Sequence, residues 1–379
     1  MKHLTCSHCG NRVFFENDAC EVCNSALGYA PDEQRMLAFE RSTSQAWRRL
    51  GPEGPAYKPC MNRQQDICNW TVPSDSAHEH CLSCRTTHTI PALGKPENLG
   101  YWAALERAKR RLFYTLVELV LPTPSKLEDP DNGLSFEFLE QLTPRERVLI
   151  GHDEGVITLN VAEADDARRE NMRVSMHESS RTLLGHFRHE IGHYYWDRLV
   201  RGSPWVDEFR ALFGDERADY EAALEKHYAL PDVDWPERFI SAYASSHPWE
   251  DWAETWAHYL HMVDGLETAA AWGTHLDHAL PGGPGLQVRA LDLGAQSIRQ
   301  VVVEQWLPVS QFINAMDRSL GARDSYPFIV VPPVVEKLDF IHRVVRSASS
   351  GSVPMNFLPR SPRALPRADA PAQARALPT

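Results

Sequence analysis

All eight cysteines of the 379-residue chain lie before residue 85, so whatever they bind is confined to an N-terminal region. The first four form two CxxC pairs with ten residues between them. This spacing indicates four thiolates around one tetrahedral Zn²⁺, with each CxxC pair making a tight knuckle. We predict a short strand over Val13–Phe15 between the knuckles. The same pattern predicts a structural Zn²⁺ bound by Cys6, Cys9, Cys20 and Cys23.

The later four cysteines contain a single CxxC pair and therefore give a less specific pattern. We predict a second structural Zn²⁺, bound by Cys60, Cys68, Cys81 and Cys84. A nearby histidine can replace one of these thiolates, because imidazole and thiolate both suit Zn²⁺. The candidates are His78, His80 and His88. Pairing of cysteines between the first and the second set also stays open.

Disulfides in a secreted domain are the competing interpretation of so many cysteines. A secretory signal starts with a positively charged segment and continues into an apolar one, and the residues after Met1 do not follow that pattern. Reduced thiols that bind zinc fit the sequence better, and they predict a cytoplasmic protein.

A second kind of metal pattern, HExxH, lies at His189-Glu190-Ile191-Gly192-His193, in an apolar segment that favours a helix from about Ser179 to Val200. Two histidines four residues apart lie within about 40° of each other on a helix. Both imidazoles can therefore reach one Zn²⁺, and Glu190 lies where it can act as general base. The alternative is a core helix with two structural histidines. It has to explain two imidazoles and a carboxylate in one apolar turn, where unpaired polar groups are costly.

A third ligand is expected from a second helix, and the stretch from Ser241 to Tyr259 is the best candidate. Pro248 suits the first turn of a helix. Glu250, Glu254 and His258 follow at four-residue spacing along one face. One carboxylate would bind the metal and the other would orient a ligand histidine, and the sequence leaves open which does which. A solvated acidic face is the alternative, and the tryptophans at 249, 252 and 256 argue against it.

HExxH followed by a helix with two glutamates four residues apart resembles the gluzincin metallopeptidases. Tyr243, seven residues before Glu250, is similar to the tyrosine-to-glutamate spacing of the lethal-factor-like members. The resemblance implies that His189, His193 and Glu250 bind the catalytic zinc. It further implies that Glu254 orients a histidine and that the Tyr243 hydroxyl stabilises the oxyanion.

Two stretches, residues 185–196 and 247–258, make the chain similar to a bacterial family of zinc-binding metallopeptidases with an N-terminal zinc-ribbon region. The similarity spans about residues 1–345. It implies an α+β protein, in which small β-rich zinc-ribbon modules precede a mainly helical zincin-like domain with a small sheet. The expected domains are a ribbon region at 1–95 and a peptidase domain at 96–345. Residues 346–379 hold six prolines and five arginines and few large apolar residues, which predicts a disordered tail.

Charge argues against a nucleic-acid partner for the ribbons. Residues 1–95 contain ten Lys/Arg and ten Asp/Glu, which gives a formal charge of zero, and the whole chain carries −12. Binding to a phosphate backbone needs clustered cations, which this region lacks. Each Zn(Cys)4 centre would add about two negative charges. We therefore expect the ribbons to be structural or to contact a protein partner. No apolar stretch is long enough to span a bilayer, so no membrane partner is expected.

Periodicity predicts the remaining elements. A polar helix is expected around Asp32–Leu50, a long amphipathic helix at Leu99–Leu121, and one or two helices within 206–230. Another helix is expected at Pro308–Leu320. The β-branched run Val156–Val161 predicts a strand. By the gluzincin resemblance it is a candidate for the edge strand that pairs with extended substrate, while an ordinary sheet strand is the alternative. The segment Glu163–Arg173 is interpreted as a solvated connection, and Pro281–Pro284 as a turn.

Together these patterns favour a zinc-dependent peptidase that acts on a peptide or protein substrate and holds one catalytic and two structural Zn²⁺. The alternative is a non-catalytic scaffold that recruits a protein partner through its ribbons. A zinc-ribbon nucleic-acid binder would show steep salt dependence, and the charge distribution argues against it.

Overall fold

The computed structural model describes residues 2–40, 47–141, 148–176, 178–230, 232–277, 285–294 and 297–350. The predicted turn at Pro281–Pro284 lies outside these residues, as does all of the C-terminal segment from residue 351. Small β-sheets dominate the cysteine-rich N-terminal part, and helices dominate the larger C-terminal part. The predicted α+β class is therefore confirmed.

In the described residues of the N-terminal part there are three small antiparallel sheets. Their strands are β1 (Leu4–Thr5) with β2 (Arg12–Val13), then β3 (Ala26–Ala30), β4 (Arg35–Phe39) and β5 (Arg49–Leu50), and finally β6 (Tyr57–Pro59) with β7 (Thr71–Pro73). The predicted helix at Asp32–Leu50 is wrong. Met36–Phe39 forms the middle strand of the second sheet and is buried on both faces. Tertiary burial there outweighs the helix propensity of Met, Leu and Ala.

A four-stranded sheet lies beside the helical part. It consists of β8 (Thr87–Thr89), β9 (Ser135–Leu139), β10 (Gly151–Asp153) and β11 (Val156–Asn160), in the order β10-β11-β9-β8. The strand predicted at Val156–Val161 exists, but the edge position proposed for it is wrong. The antiparallel strand β10 covers it, since Glu154 and Gly155 form a tight turn with positive φ at both residues. β9 lies parallel to β11 on its other side.

The helices lie mainly after the sheet in the chain. They are α1 (Pro96–Glu118), α2 (Asp166–Ser175), α3 (Leu183–Tyr195), α4 (Val206–Phe213), α5 (Tyr220–Ala229), α6 (Pro248–Ala271), α7 (Ile298–Val301), α8 (Leu307–Ser319) and α9 (Pro332–Ser349). A π turn at Trp196–Val200 extends α3, and a second at Val302–Trp306 joins α7 to α8. A last short hairpin pairs β12 (His275–Leu276) with β13 (Leu286–Gln287). The helices predicted in the 99–121, 206–230 and 308–320 segments are confirmed.

Three details differ from the predictions. α3 begins at Leu183 rather than near Ser179, because the Thr182 hydroxyl accepts a hydrogen bond from the Gly185 N–H and caps the helix. The segment Glu163–Arg173 is not a simple connection, since most of it is the helix α2. α9 runs through Ser349, beyond the start of the predicted tail at residue 346.

The ribbon region and the helical part share one hydrophobic core. Phe15 and Tyr29 pack against Tyr114 of α1, with ring centroids 5.4 and 6.0 Å from it, and Trp70 packs against Phe15 and Tyr29 in turn. The Arg110 guanidinium of α1 donates to the Ile67 carbonyl at 2.6 Å. β8 also extends the sheet of the helical part. The cysteine-rich modules are therefore packed against the rest of the protein and share its hydrophobic core.

Helices α3 and α6 lie unusually close together. A Cβ on Gly192 of α3 would lie 3.1 Å from the Ala253 Cα and 3.2 Å from Trp256 atoms of α6, so any larger residue would have to push the helices slightly apart. The Trp252 indole N–H donates to the Gly192 carbonyl at 2.8 Å. This contact places the HExxH turn against the first two turns of α6. Among the helices of the described residues, none is long and apolar enough to cross a membrane.

Candidate metal centre

Two imidazoles and one carboxylate converge between α3 and α6. The His189 and His193 Nε2 atoms lie 3.2 Å apart. The Glu250 Oε2 atom lies 3.0 Å from the Nε2 atom of His189 and 3.5 Å from that of His193. We call these three residues the His2Glu cluster.

The spacing of the His2Glu cluster fits zinc. A tetrahedral Zn²⁺ with bonds of about 2.05 Å holds its donor atoms about 3.3 Å apart. The three measured separations, 3.0, 3.2 and 3.5 Å, bracket that value. The Glu250 Oε2 atom is buried and faces the two imidazole nitrogens at 3.0 and 3.5 Å. A buried carboxylate oxygen that faces two imidazole nitrogens is an arrangement that a cation stabilises.

The second glutamate of α6 lies behind His189. The Glu254 Oε1 atom is 2.7 Å from the His189 Nδ1 atom, so Glu254 orients the ring without entering the cluster. The Ser241 hydroxyl donates to the other Glu254 oxygen at 2.6 Å. The geometry thus places Glu250 among the three donor atoms that face one another and Glu254 behind the His189 ring.

Electrostatics make the centre attractive to a cation. Burial opposes protonation of His189, but the hydrogen bonds and charges of Glu250 and Glu254 outweigh it and raise the pKa of His189 well above its usual range. Burial likewise favours the neutral form of Glu250, yet the two imidazoles hold the pKa of that carboxyl well below its usual range. Glu250 is therefore ionised at neutral pH.

Glu190 occupies the same turn of α3 but lies outside the cluster. It is 6% exposed, and its Oε2 atom has no hydrogen-bond partner in the described part of the chain. Burial is the main cause that raises the pKa of Glu190, and the charges of His189 and His193 lower it in part. A carboxyl with a raised pKa exchanges protons more readily near neutral pH.

Tyr243 lies beside His189, with ring centroids 5.9 Å apart, in a short 3-10 turn just before α6. Burial, followed by the charge of Glu250, raises the pKa of Tyr243 well above its usual range, so the hydroxyl stays protonated and can donate.

Several residues at the site were missed in the sequence. The Tyr220 hydroxyl donates to the Glu250 Oε1 atom at 2.7 Å. The Trp249 ring packs on His193 with centroids 4.0 Å apart, and His152 of β10 stacks beside the same histidine at 6.5 Å. Tyr220 and His152 are distant in sequence and no spacing could reveal them. Trp249 lies directly before Glu250 and was interpreted only as a sign of burial.

Three further histidines on or next to α3 and α6 lie outside the His2Glu cluster. His247 caps α6 by accepting a hydrogen bond from the Trp249 N–H. His186 is 3.2 Å from the buried carboxylate of Glu163, which Arg181 also contacts. His258 hydrogen-bonds the Tyr326 hydroxyl at 2.8 Å. Burial is the main cause that lowers the pKa of His258 to about 4.

The eight cysteines form two separate groups, each with its four sulfur atoms within 4.8 Å of one another. The first cluster is Cys6, Cys9, Cys20 and Cys23, and the second is Cys60, Cys68, Cys81 and Cys84. All are free thiols, so neither disulfides nor pairing between the sets occurs. The sulfur–sulfur distances are 3.7 Å for Cys6–Cys23, Cys9–Cys20 and Cys68–Cys81. A tetrahedral Zn²⁺ with Zn–S bonds of about 2.3 Å requires about 3.8 Å.

The two cysteine clusters differ in burial. Cys9 is exposed at the rim of the first cluster, whereas all four cysteines of the second are buried. His78 and His88 contact Glu128 and Glu137 instead of joining the second cluster. Charged side chains of α1 lie beside it. The Cys84 thiol contacts the Glu106 carboxylate at 3.7 Å, and Cys68 and Cys84 are the chief charges that raise the pKa of Arg110 against its burial.

Thiolate centres joined to a helical domain with paired histidines and an acid define a zinc-binding metalloprotein. Residues 98–344 match the family described as "Putative zinc-binding metallo-peptidase", and residues 3–95 match a zinc-ribbon domain. The chain belongs to that family. It is also 42% identical over 347 residues to proteins of Mycobacterium bovis and Mycobacterium tuberculosis, which are described as uncharacterized. The alignment covers 91% of this chain and 95% of each relative. No solved structure matches significantly.

Proposed function

We propose that this protein is a zinc-dependent peptidase of the gluzincin type. The observation that carries the proposal is the convergence of His189, His193 and Glu250, with separations of 3.0 to 3.5 Å, next to the buried carboxylate of Glu190. In this proposal the His2Glu cluster holds one catalytic Zn²⁺ and the two cysteine clusters hold structural Zn²⁺. When bound at three protein ligands, Zn²⁺ supplies Lewis acidity that lowers the pKa of an attacking water toward about 7 and polarises the scissile carbonyl.

The protein residues divide the proton chemistry among them. Glu190 accepts the proton that the attacking water gives up as its oxygen bonds to the carbonyl carbon. The same carboxyl then donates that proton to the amine nitrogen as the peptide C–N bond breaks. Its buried position and raised pKa suit both directions of transfer. Glu254 and Ser241 hold the His189 ring in a fixed tautomer throughout.

Tyr243 is the proposed oxyanion donor. Its hydroxyl stays protonated, as the direction of its pKa shift requires, and its ring lies beside His189. A donor aimed at the charge that develops on the carbonyl oxygen is worth about 10²–10³ in rate in comparable sites. We take β10, an edge strand of the sheet, as the strand that pairs with an extended substrate. The ring of His152 in β10 stacks beside His193 of the cluster, with centroids 6.5 Å apart.

Replacing the base tests the mechanism. Glu190→Gln keeps the shape of the side chain but cannot accept a proton, so hydrolysis of a peptide library should fall by about 10²–10⁴. The variant should still bind about three Zn²⁺ per chain, as should the wild type, while His189→Ala/His193→Ala should bind about two. Wild-type rates in Glu190→Gln would refute the assigned base. An unchanged zinc count in the double histidine variant would refute the catalytic zinc.

A non-catalytic scaffold is the second candidate. Phe14 and Val22, beside the first cysteine cluster, are 63% and 69% exposed, and apolar side chains at a ribbon surface suit a protein partner. If the zinc-loaded protein cleaves no member of a diverse peptide library, this candidate is favoured. For either function we propose a cytoplasmic location, which the eight free thiols support, since a reducing compartment preserves them.

A further inference from the structure

Tyr220 contacts the metal-binding cluster from an element that the HExxH pattern does not include. It is the first residue of α5, whereas the proposed ligands lie on α3 and α6. Its hydroxyl donates to the Glu250 Oε1 atom at 2.7 Å, while the Oε2 atom of the same carboxylate faces the two imidazoles. Each oxygen of Glu250 thus has a separate partner.

The Tyr220 ring is held firmly in place. Asp219 caps α5 by accepting a hydrogen bond from the Ala222 N–H at 3.0 Å, which fixes the start of the helix. The ring packs against His247 with centroids 5.2 Å apart and against Trp249 at 6.3 Å. These are the residues that flank Pro248 at the start of α6. The contacts fix the hydroxyl relative to the first turn of α6, in which Glu250 lies.

We propose that Tyr220 is a positioning residue, which holds the Glu250 carboxylate so that its Oε2 atom faces the two imidazoles. The proposal rests on the proposed function, because it gives Tyr220 a task at that same centre. The terminal torsion of a glutamate is broad and roughly two-fold, so rotation would otherwise present either oxygen to the metal. A donor on Oε1 selects one orientation. Because a phenol is neutral, it does so without cancelling the negative charge that attracts a cation.

The experiment compares Tyr220→Phe with Tyr243→Phe and Tyr101→Phe in the full-length protein. The Tyr101 hydroxyl donates to Asp165 at 2.9 Å, so Tyr101→Phe removes the same kind of bond outside the centre and serves as the matched control. The affinity for the most weakly held Zn²⁺ is measured by competition with a chelator. That ion is assigned to the His2Glu cluster by its loss in His189→Ala/His193→Ala. Since loss of a residue that orients a ligand typically weakens metal binding by about 10–100-fold, we expect that loss in Tyr220→Phe only.

A double variant distinguishes an effect of Tyr220 that acts through Glu250 from a general folding defect. If Tyr220 acts through Glu250, adding Tyr220→Phe to Glu250→Gln should weaken zinc binding little further than Glu250→Gln alone. Equal zinc affinity in wild type and Tyr220→Phe would overturn the proposal, as would fully additive losses in the double variant. Zinc affinity is measured without substrate. A protein that fails to cleave peptides but shows the Tyr220 effect would therefore refute the peptidase and leave the positioning role intact.

Discussion

The cysteine clusters and the His2Glu cluster place their donor atoms by different means. The cysteines lie in turns between strands of two to five residues, and little regular structure holds the sulfurs together. The imidazoles and the Glu250 carboxylate project from two long helices that pack tightly through Gly192. Structural zinc sites are closed by four protein ligands, whereas catalytic sites keep one position open. The first kind of site depends on its ion for shape, and the second has a shape that helix packing sets in advance.

Because the second cysteine cluster is buried, its dependence on a bound ion affects the stability of the whole protein. Its four thiols lie in the hydrophobic core between the ribbon region and α1, which also contains Trp70 and Leu112. Four thiolates brought together without an ion would repel one another in a low-dielectric interior. Structural Zn²⁺ binding contributes about 10–16 kcal/mol in small zinc modules, which is as large as the net stability of a typical domain.

The largest effect is therefore expected from the second cysteine cluster. Cys68→Ala removes a buried sulfur, and the metal with it, so we expect the ribbon and α1 to lose their shared core and the chain to lose its cooperative unfolding transition. Circular dichroism and chemical denaturation measure this, together with the zinc content. Cys9→Ala is the comparison, because Cys9 is exposed at the rim of the first cluster. It should release one zinc and leave the main unfolding transition in place. If Cys68→Ala unfolds like the wild type, the second cluster is not structural.

For the helix pair α3 and α6, which carries the His2Glu cluster, we expect a stability that depends on pH. His258 lies one turn beyond Glu254 on α6, and burial lowers its pKa from 6.5 to about 4. Between these values the unfolded chain binds a proton that the folded chain does not, so stability is complete above pH 6.5 and falls as the pH drops toward 4. The shift corresponds to about 3 kcal/mol at most.

His258→Gln isolates this contribution, because glutamine stays neutral at every pH. The free energy of unfolding, measured by denaturant titration from pH 7 to pH 4, should fall by about 3 kcal/mol less in the variant than in the wild type. Other buried groups, His261 among them, keep part of the acid sensitivity. Identical pH profiles for the two proteins would show that His258 is protonated in the folded state and that α6 does not depend on its neutral form.

Local spacing predicted the parts of the site that lie within one element. The HExxH turn, the four-residue interval from Glu250 to Glu254 and the CxxC knuckles are all set by helix or turn geometry, and the structure brings each group together. Contacts between distant elements could not be predicted in this way. Tyr220 reaches Glu250 from another helix, and β10 displaces the predicted edge strand because a two-residue turn folds it back.

The wrong helix at Asp32–Leu50 has a related cause. A polar segment rich in helix formers favours a helix when it is judged alone, but Leu37, Ala38 and Phe39 are completely buried between neighbouring strands. The decisive energy is burial against residues distant in the chain, which periodicity within one segment does not report. The roles predicted for Tyr243, Glu250 and Glu254 came from resemblance to a family and not from spacing alone, and they stay predictions.

The smallest expected effect tests the packing that sets the shape of the His2Glu cluster. Gly192→Ala gains helix propensity of about 1 kcal/mol but places a methyl group against α6, and such overpacking typically costs about 1–3 kcal/mol. The atoms in its way are the Ala253 backbone and the fully buried Trp256, which cannot move aside easily. We expect a net loss of about 1 kcal/mol in the free energy of unfolding, with weaker zinc binding because α3 is pushed away from Glu250. Gly100→Ala is the matched control, since a Cβ at Gly100 of α1 meets nothing within 4 Å among the described residues. It should stabilise the protein by about 0.5–1 kcal/mol and leave zinc affinity unchanged. A Gly192→Ala variant that behaves like Gly100→Ala would show that α3 and α6 are not in close contact, and that the cluster needs its ion for shape as the cysteine clusters do.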